Sequence, residues 1–341
     1  MGFRKESGFL FKILFLFTFL ALSGHAFAIS LPNTGIGQTL SVSVRPEYPA
    51  PMENVALSVS SPSFDINTAE ISWVVNGSVS GKGIGLKNFT VQMGPIGSRS
   101  RIDVVIKPMG RDSFSQSFDL YPTSIDLFWQ ANTYTPPFFR GKANHTTEGT
   151  VTVVAMPNIA LNGKLVAKEK LVYQWSQNGR PLSNSSGYGK NSVTVINSLT
   201  KSAEIIGVSV STPDKVIFTQ REIKIPVKEP EIIFYEDHPL YGVLFNNGIV
   251  KETNLSTKEM TFSVAPYFFA VSDPANPRLI YTWLVNGASG QVGDSREKLT
   301  FRNESEDSGQ TRVGLKISDS ARVISFAESD FLINFGDNSN Q

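Results

Sequence analysis

Trp73-Val74-Val75-Asn76-Gly77 recurs as Trp175-Ser176-Gln177-Asn178-Gly179 and as Trp283-Leu284-Val285-Asn286-Gly287. The tryptophans stand 102 and 108 residues apart, about one domain length. Period-2 alternation puts Ile71, Trp73 and Val75 on one face of a strand, and Tyr281, Trp283 and Val285 likewise. Tyr173 precedes Trp175 in the same way. Asn-Gly after such a run predicts a two-residue hairpin, because a type I′ turn needs φ > 0 at both central residues. Each copy reads as a core strand with a large inward Trp, closed by a tight turn.

A second alternating set follows each Trp at a matched distance. Ile102, Val104 and Ile106 follow Trp73 by 29 to 33 residues; Ile206, Val208 and Val210 follow Trp175, and Val313, Leu315 and Ile317 follow Trp283, at nearly the same offset. These triplets predict a strand in the opposing sheet of a sandwich, packed across from the Trp. Around both sets, Val/Ile/Phe/Thr-rich runs alternate with Gly, Pro, Asn and Ser about every 8 to 12 residues, and no stretch carries helical periodicity.

The fold class this predicts is all-β: three tandem immunoglobulin-like antiparallel β-sandwich domains after an N-terminal signal peptide. The expected boundaries are a signal peptide over 1–28, sandwiches over 38–121, 123–227 and 229–336, and a disordered tail over 337–341. Both joints, Tyr121-Pro122-Thr123-Ser124 and Pro226-Val227-Lys228-Glu229-Pro230, are short and carry Pro. Such linkers are semi-rigid, and three sandwiches in line make a rod on the order of 100 Å.

Arg4 and Lys5, an apolar run from Ile13 to Leu22, and Ala26-Phe27-Ala28 form the signal-peptide pattern, with cleavage expected after Ala28. The apolar run is about half of the roughly 20 residues a spanning helix needs; retention as an anchor is the other reading. The expected product is exported: secreted, periplasmic or cell-surface associated, with no membrane span in the mature chain. With 31 Lys+Arg against 30 Asp+Glu and no basic block, nucleic acid is not an expected partner. There is no cysteine, so each core must hold without disulfides, which domains of about 100 residues manage.

An aromatic residue two before Trp-x-x-Asn-Gly, followed some 30 residues on by a strand such as Val313-Gly314-Leu315-Lys316-Ile317-Ser318-Asp319, resembles bacterial secreted tandem immunoglobulin-like and PKD-like β-sandwich repeats. The resemblance spans nearly the whole mature chain. It implies that the Trp occupies the third strand of each sandwich. It says little of function, since such repeats serve as adhesins, spacers and enzyme appendages. The acidic Gly-Asp-Gly turn of PKD repeats is here Asn-Gly, and the immunoglobulin Asp-x-Gly-x-Tyr-x-Cys survives only as Asp307-Ser308-Gly309.

No nucleophile elbow, His-Glu-x-x-His or phosphate-loop pattern is present, so no catalytic residue, cofactor or metal is expected and the chain reads as no enzyme. His145 and His238 are expected in solvated first loops, and Glu304, Glu306 and Asp307 in a solvated acidic loop. The structural core is assigned to Trp73, Trp175 and Trp283. The candidate partner-binding residues are Tyr134, Phe138, Phe139, Arg140 and Lys142 in the first loop of the second sandwich. Tyr241 and Phe245 join them from a loop over 240–245 in the third. Tyr, Phe and Arg are interface residues; the alternative, favoured here, is that these aromatics wedge against the preceding sandwich. The functional expectation is a non-catalytic modular rod for cell-surface interaction, adhesion or assembly, its partner a protein or glycan at a cell surface. An accessory carbohydrate-binding module beside a separately encoded enzyme is the second reading, and it calls for a strip of exposed aromatics on one sheet face.

Overall fold

The structure is a computed structural model that describes residues 40–137, 139–197, 202–289, 295–304 and 307–336. The signal-peptide region, the 337–341 tail, Phe138 and Glu306 lie outside the described residues.

The strands pair into three successive two-sheet sandwiches. In the first, Ser41–Arg45, Asn54–Ser60 and Asn88–Gln92 form one sheet, and Ser78–Ile84, Glu70–Val75, Ser100–Lys107 and Phe114–Leu120 the other, in those orders. In the second, the sheet Ser192–Ile196, Thr150–Asn158, Ser124–Ala131 faces Arg180–Pro181, Val172–Gln177, Ala203–Ser211, Phe218–Lys228 and His145–Thr146. The third sets Gly242–Ile249, Glu231–His238, Glu259–Tyr267 and Lys298–Arg302 against Glu252–Asn254, Phe326–Phe335, Gly309–Asp319, Leu279–Val285 and Ala288–Ser289. In the later two, the chain crosses from the first strand to the other sheet and pairs in parallel with the last strand, His145 beside Val227 and Glu252 beside Leu332. First, second and fifth strands in one sheet, with third, sixth and seventh in the other, is the immunoglobulin arrangement. Each sandwich encloses its own apolar core.

The triplet strands correct one expectation. They do not lie across the core from the Trp strands but beside them, hydrogen-bonded in the same sheet: Trp73 is paired with Val104, Trp175 with Val208 and Trp283 with Leu315. Period-2 alternation reports which face of a strand is buried, and adjacent strands of one sheet share that face. The group across the core is aromatic instead: Phe89 stacks on Trp73 at 5.5 Å and Phe234 lies 5.9 Å from Trp283.

All three tryptophans are at most 1% exposed, and each indole N–H finds the same kind of partner. Trp73 Nε1 donates to the Leu86 carbonyl, Trp175 Nε1 to Lys190 and Trp283 Nε1 to Arg296, at 2.8–2.9 Å. Each carbonyl sits two residues before a strand of the opposite sheet, opened by Asn88, Ser192 and Lys298. One bond thus satisfies a buried donor and fixes the crossing between sheets.

The Asn-Gly pairs are left-handed at both residues: φ is 51° and 84° at Asn76-Gly77, 52° and 77° at Asn178-Gly179, and 49° and 82° at Asn286-Gly287. Asn does more than tolerate this geometry. Each Asn N–H donates to the carbonyl of Arg101, Ile205 or Arg312, and each Asn Oδ1 accepts the N–H of that same residue at 2.9–3.1 Å. The side chain adds one rung to the ladder after the backbone has turned away. Asn286→Gly keeps the backbone geometry and loses the rung, about 1 kcal/mol. Asn286→Ala also adds left-handed strain, for a further cost of about 1 kcal/mol. Urea unfolding of the two variants should rank them in that order.

Candidate interaction surface at the joints between sandwiches

After Ala131 the chain leaves the first sheet of the second sandwich at the pole where the third begins. There the Tyr134 N–H donates to Phe269 O, and Tyr134 O accepts from the Phe268 N–H, both at 2.8 Å. The Tyr134 ring packs on the third sandwich's core. Phe139 meets Tyr267 and Phe268 edge-on at 5.6 and 5.8 Å. This aromatic segment therefore engages the following sandwich, not the preceding one. Its composition marked it as apolar, but which pole it reaches depends on the direction of the strand it leaves. Arg140 is exposed, and the Lys142 ammonium sits 3.4 Å from the Trp129 ring centroid, where desolvation lowers its pKa.

The 240–245 segment is not a loop. Gly242–Ile249 forms a hairpin with Glu231–His238, and Val243 and Phe245 pack on a cluster of Tyr235, Ala265, Tyr267 and Phe268 that also takes Phe139. Phe245 lies edge-on to Tyr235 at 5.2 Å, and the Tyr235 and Tyr267 hydroxyls share a buried 2.7 Å hydrogen bond. Burial first, and then that bond, raises the Tyr235 pKa. Tyr241 stands at the hairpin tip, stacked on His238 at 4.7 Å.

A polar clamp completes the joint. Arg322 Nε donates to the Glu148 carbonyl at 3.0 Å and Nη1 to Ala270 O at 3.2 Å. The Glu148 carboxylate in turn accepts the N–H groups of Val323 and Ile324 at 3.2 and 3.0 Å. Asp319, fully buried, receives both Arg278 and Arg322. Burial alone would raise the Asp319 carboxyl, but hydrogen bonds from Arg278, the Ala321 N–H and Arg322 together hold it below its ordinary value. The other joint is smaller: Tyr48 and Phe218 are 5.2 Å apart, Thr123 N–H donates to Pro49 O, and Gly97 abuts the Gly163 backbone. A Cβ on Gly97 would come within 3.1 Å of Gly163 Cα, so the close approach there needs glycine. None of the clamp residues was singled out in the sequence. The one signal available was Arg322 five residues after Ile317, matched by Arg111 after Ile106 and Lys215 after Val210.

The histidines are not in solvated loops. His145 is 0% exposed on the short strand paired with the last strand of its sandwich, and neither ring nitrogen has a hydrogen-bond partner. His238 ends a strand, its Nδ1 accepting the Leu240 N–H at 3.1 Å. Desolvation, partly offset by Glu204, lowers the His145 pKa below its ordinary 6.5. A buried base with a lowered pKa contributes full stability above 6.5 and loses it as pH falls below that value, since the unfolded chain takes the proton first. The second sandwich should therefore weaken from about pH 6.5 downward, and His145→Gln should flatten that slope in a series of thermal melts. Glu304 and Asp307 are exposed, and among the described residues no three His, Asp or Glu converge as a metal site. Nor is any helix among them long and apolar enough to cross a membrane.

No protein-family model matches the chain, and no curated protein sequence does. Among solved structures it is similar to the three N-terminal domains of the highly immunogenic outer capsid protein of bacteriophage RB49. The identity is 12% over 88% of this chain and 100% of that one, with a TM-score of 0.27. The central fibronectin-III array of RIM-binding protein aligns at 11% identity over 87% and 96% of the two chains, TM-score 0.29. A third likeness is to SGBP-B of the Bacteroides ovatus mixed-linkage glucan utilization locus, solved with a mixed-linkage heptasaccharide. There the identity is 10%, the coverage 90% and 70%, and the TM-score 0.22. At such scores the likeness adds nothing to the strand pairing, and it is the pairing that defines a tandem immunoglobulin-like β-sandwich protein.

Proposed function

We propose that this chain is an exported, non-catalytic rod of three folding units, 38–121, 123–227 and 229–336, that spaces or joins partners at a cell surface. The observation that carries this reading is the use of the aromatic segment in the joint: Tyr134 and Phe139, the best interface candidates, lie against the third sandwich beside the Arg322–Glu148 clamp. The most exposed aromatics, Phe128, Tyr188, Tyr241 and Phe326, stand on separate strands and a turn. They make no strip for sugar rings, which favours the rod over a carbohydrate-binding module. Arg140, exposed at the joint's edge, is left for an external partner.

Small-angle scattering tests the rod. The expected maximum dimension of the single chain, at high salt and extrapolated to zero concentration, is on the order of 100 Å. A much shorter maximum dimension, or a profile of freely jointed bodies, would contradict it.

A further inference from the structure

The first and third sandwiches leave opposite poles uncovered among the described residues, and the internal joints show what such poles take. Arg111, Lys215 and Arg322 occupy one position of the loop after the triplet strand. Each N–H bonds back to the carbonyl three residues earlier, on Pro108, Thr212 and Asp319. In the third sandwich this loop seizes a turn of the second. In the first, Lys107, Gly110, Arg111 and Asp112 line an open groove of about 630 Å³, with Met109 85% exposed beside it. Asp65 on the neighbouring turn is held by Asn67.

The far pole of the third sandwich is the converse. The second sandwich reaches across its joint with the segment that follows its first strand. The corresponding hairpin of the third ends in Leu240 and Tyr241, 81% and 76% exposed. Past the strand Lys298–Arg302, Glu304 and Asp307 are exposed, while Arg302 and Glu259 hold each other.

We propose that the tip of the first sandwich docks the far pole of the third sandwich of a second copy. Lys107 and Arg111 face Glu304 and Asp307, and Met109 seats against Leu240 and Tyr241. The contact joins two different surfaces, so each copy keeps a free tip or a free far pole after the first contact, and association runs end to end past the dimer. It rests on the joint pattern of the rod reading, but a rigid monomer would sink it and leave the rod standing.

Sedimentation of the purified chain at low salt should show mass rising with concentration past the dimer, and high salt should suppress it. Arg111→Glu or Tyr241→Ser should weaken association by about tenfold or more, equivalent to about 1.4 kcal/mol, with unfolding midpoints unchanged. Arg111→Glu mixed with Glu304→Arg/Asp307→Arg should restore it. A monomer at every concentration, or association indifferent to Arg111→Glu, would overturn the proposal. So would association that begins only when residues 29–39 are deleted, which would place that segment on the tip.

Discussion

Trp283→Ala should remove roughly 3–5 kcal/mol from the third sandwich. The side chain is 1% exposed, lies against Phe234, and anchors the Arg296 carbonyl. Truncation therefore leaves both a cavity and an unpaired carbonyl. Calorimetry should show one transition moving down by many degrees while the melting of the first sandwich stays in place, because each core is enclosed within its own pair of sheets. Unchanged melting of the third sandwich would refute the core assignment. Trp73→Ala and Trp175→Ala should act in the same way in theirs.

Asp319→Ala is the second large effect. It strands the Arg322 guanidinium, 15% exposed beside the 0% exposed Asp319 side chain, and unpairs Arg278, which at 36% exposed can turn to water. Breaking a buried pair from one side costs about 3–5 kcal/mol, so the third sandwich should lose that much at neutral pH. The pH dependence identifies the cause. A carboxyl held below its ordinary 3.8 contributes stability that is full above that value and is lost as pH falls through its folded-state pKa. Wild type should lose this increment only in strong acid, well below the His145 step, and the variant should lack it. The same substitution should loosen the second joint, because Asp319 holds the guanidinium that grips Glu148.

The architecture was legible in the sequence because its signals are local. Trp73, Trp175 and Trp283 follow alternating neighbours, and Asn-Gly demands a backbone that few other pairs adopt. What was not legible is relational. The alternation of Ile102, Val104 and Ile106 could not distinguish a neighbour in the same sheet from a strand across the core, since both present a buried face every second residue. The aromatic content of 134–139 gave no direction, and Tyr134 and Phe139 pack forward because the strand before them ends at the forward pole. His145 was misplaced because its burial comes from a two-residue parallel pairing with Val227–Lys228, too short to leave a periodic trace. The Arg322–Glu148 contact links residues far apart in the chain, and no single-sequence pattern points from one to the other. The 242–249 strand was missed for a plainer reason: Asn246-Asn247-Gly248 inside it reads as a turn. A Cβ on Gly248 would lie 3.0 Å from the Ile233 Cγ2 methyl, a tight contact that glycine avoids.

Tyr134, Phe139 and the Arg322 clamp should hold the second and third sandwiches at one angle. The chain has no cysteine, so spin labels can be placed on Arg221→Cys and Thr282→Cys, both exposed and one on each sandwich, without other changes. Pulsed dipolar distance measurements should give a single narrow distribution that broadens when Phe139→Ser and Arg322→Ala are added. A broad or multimodal distribution in the otherwise wild-type chain would contradict the account.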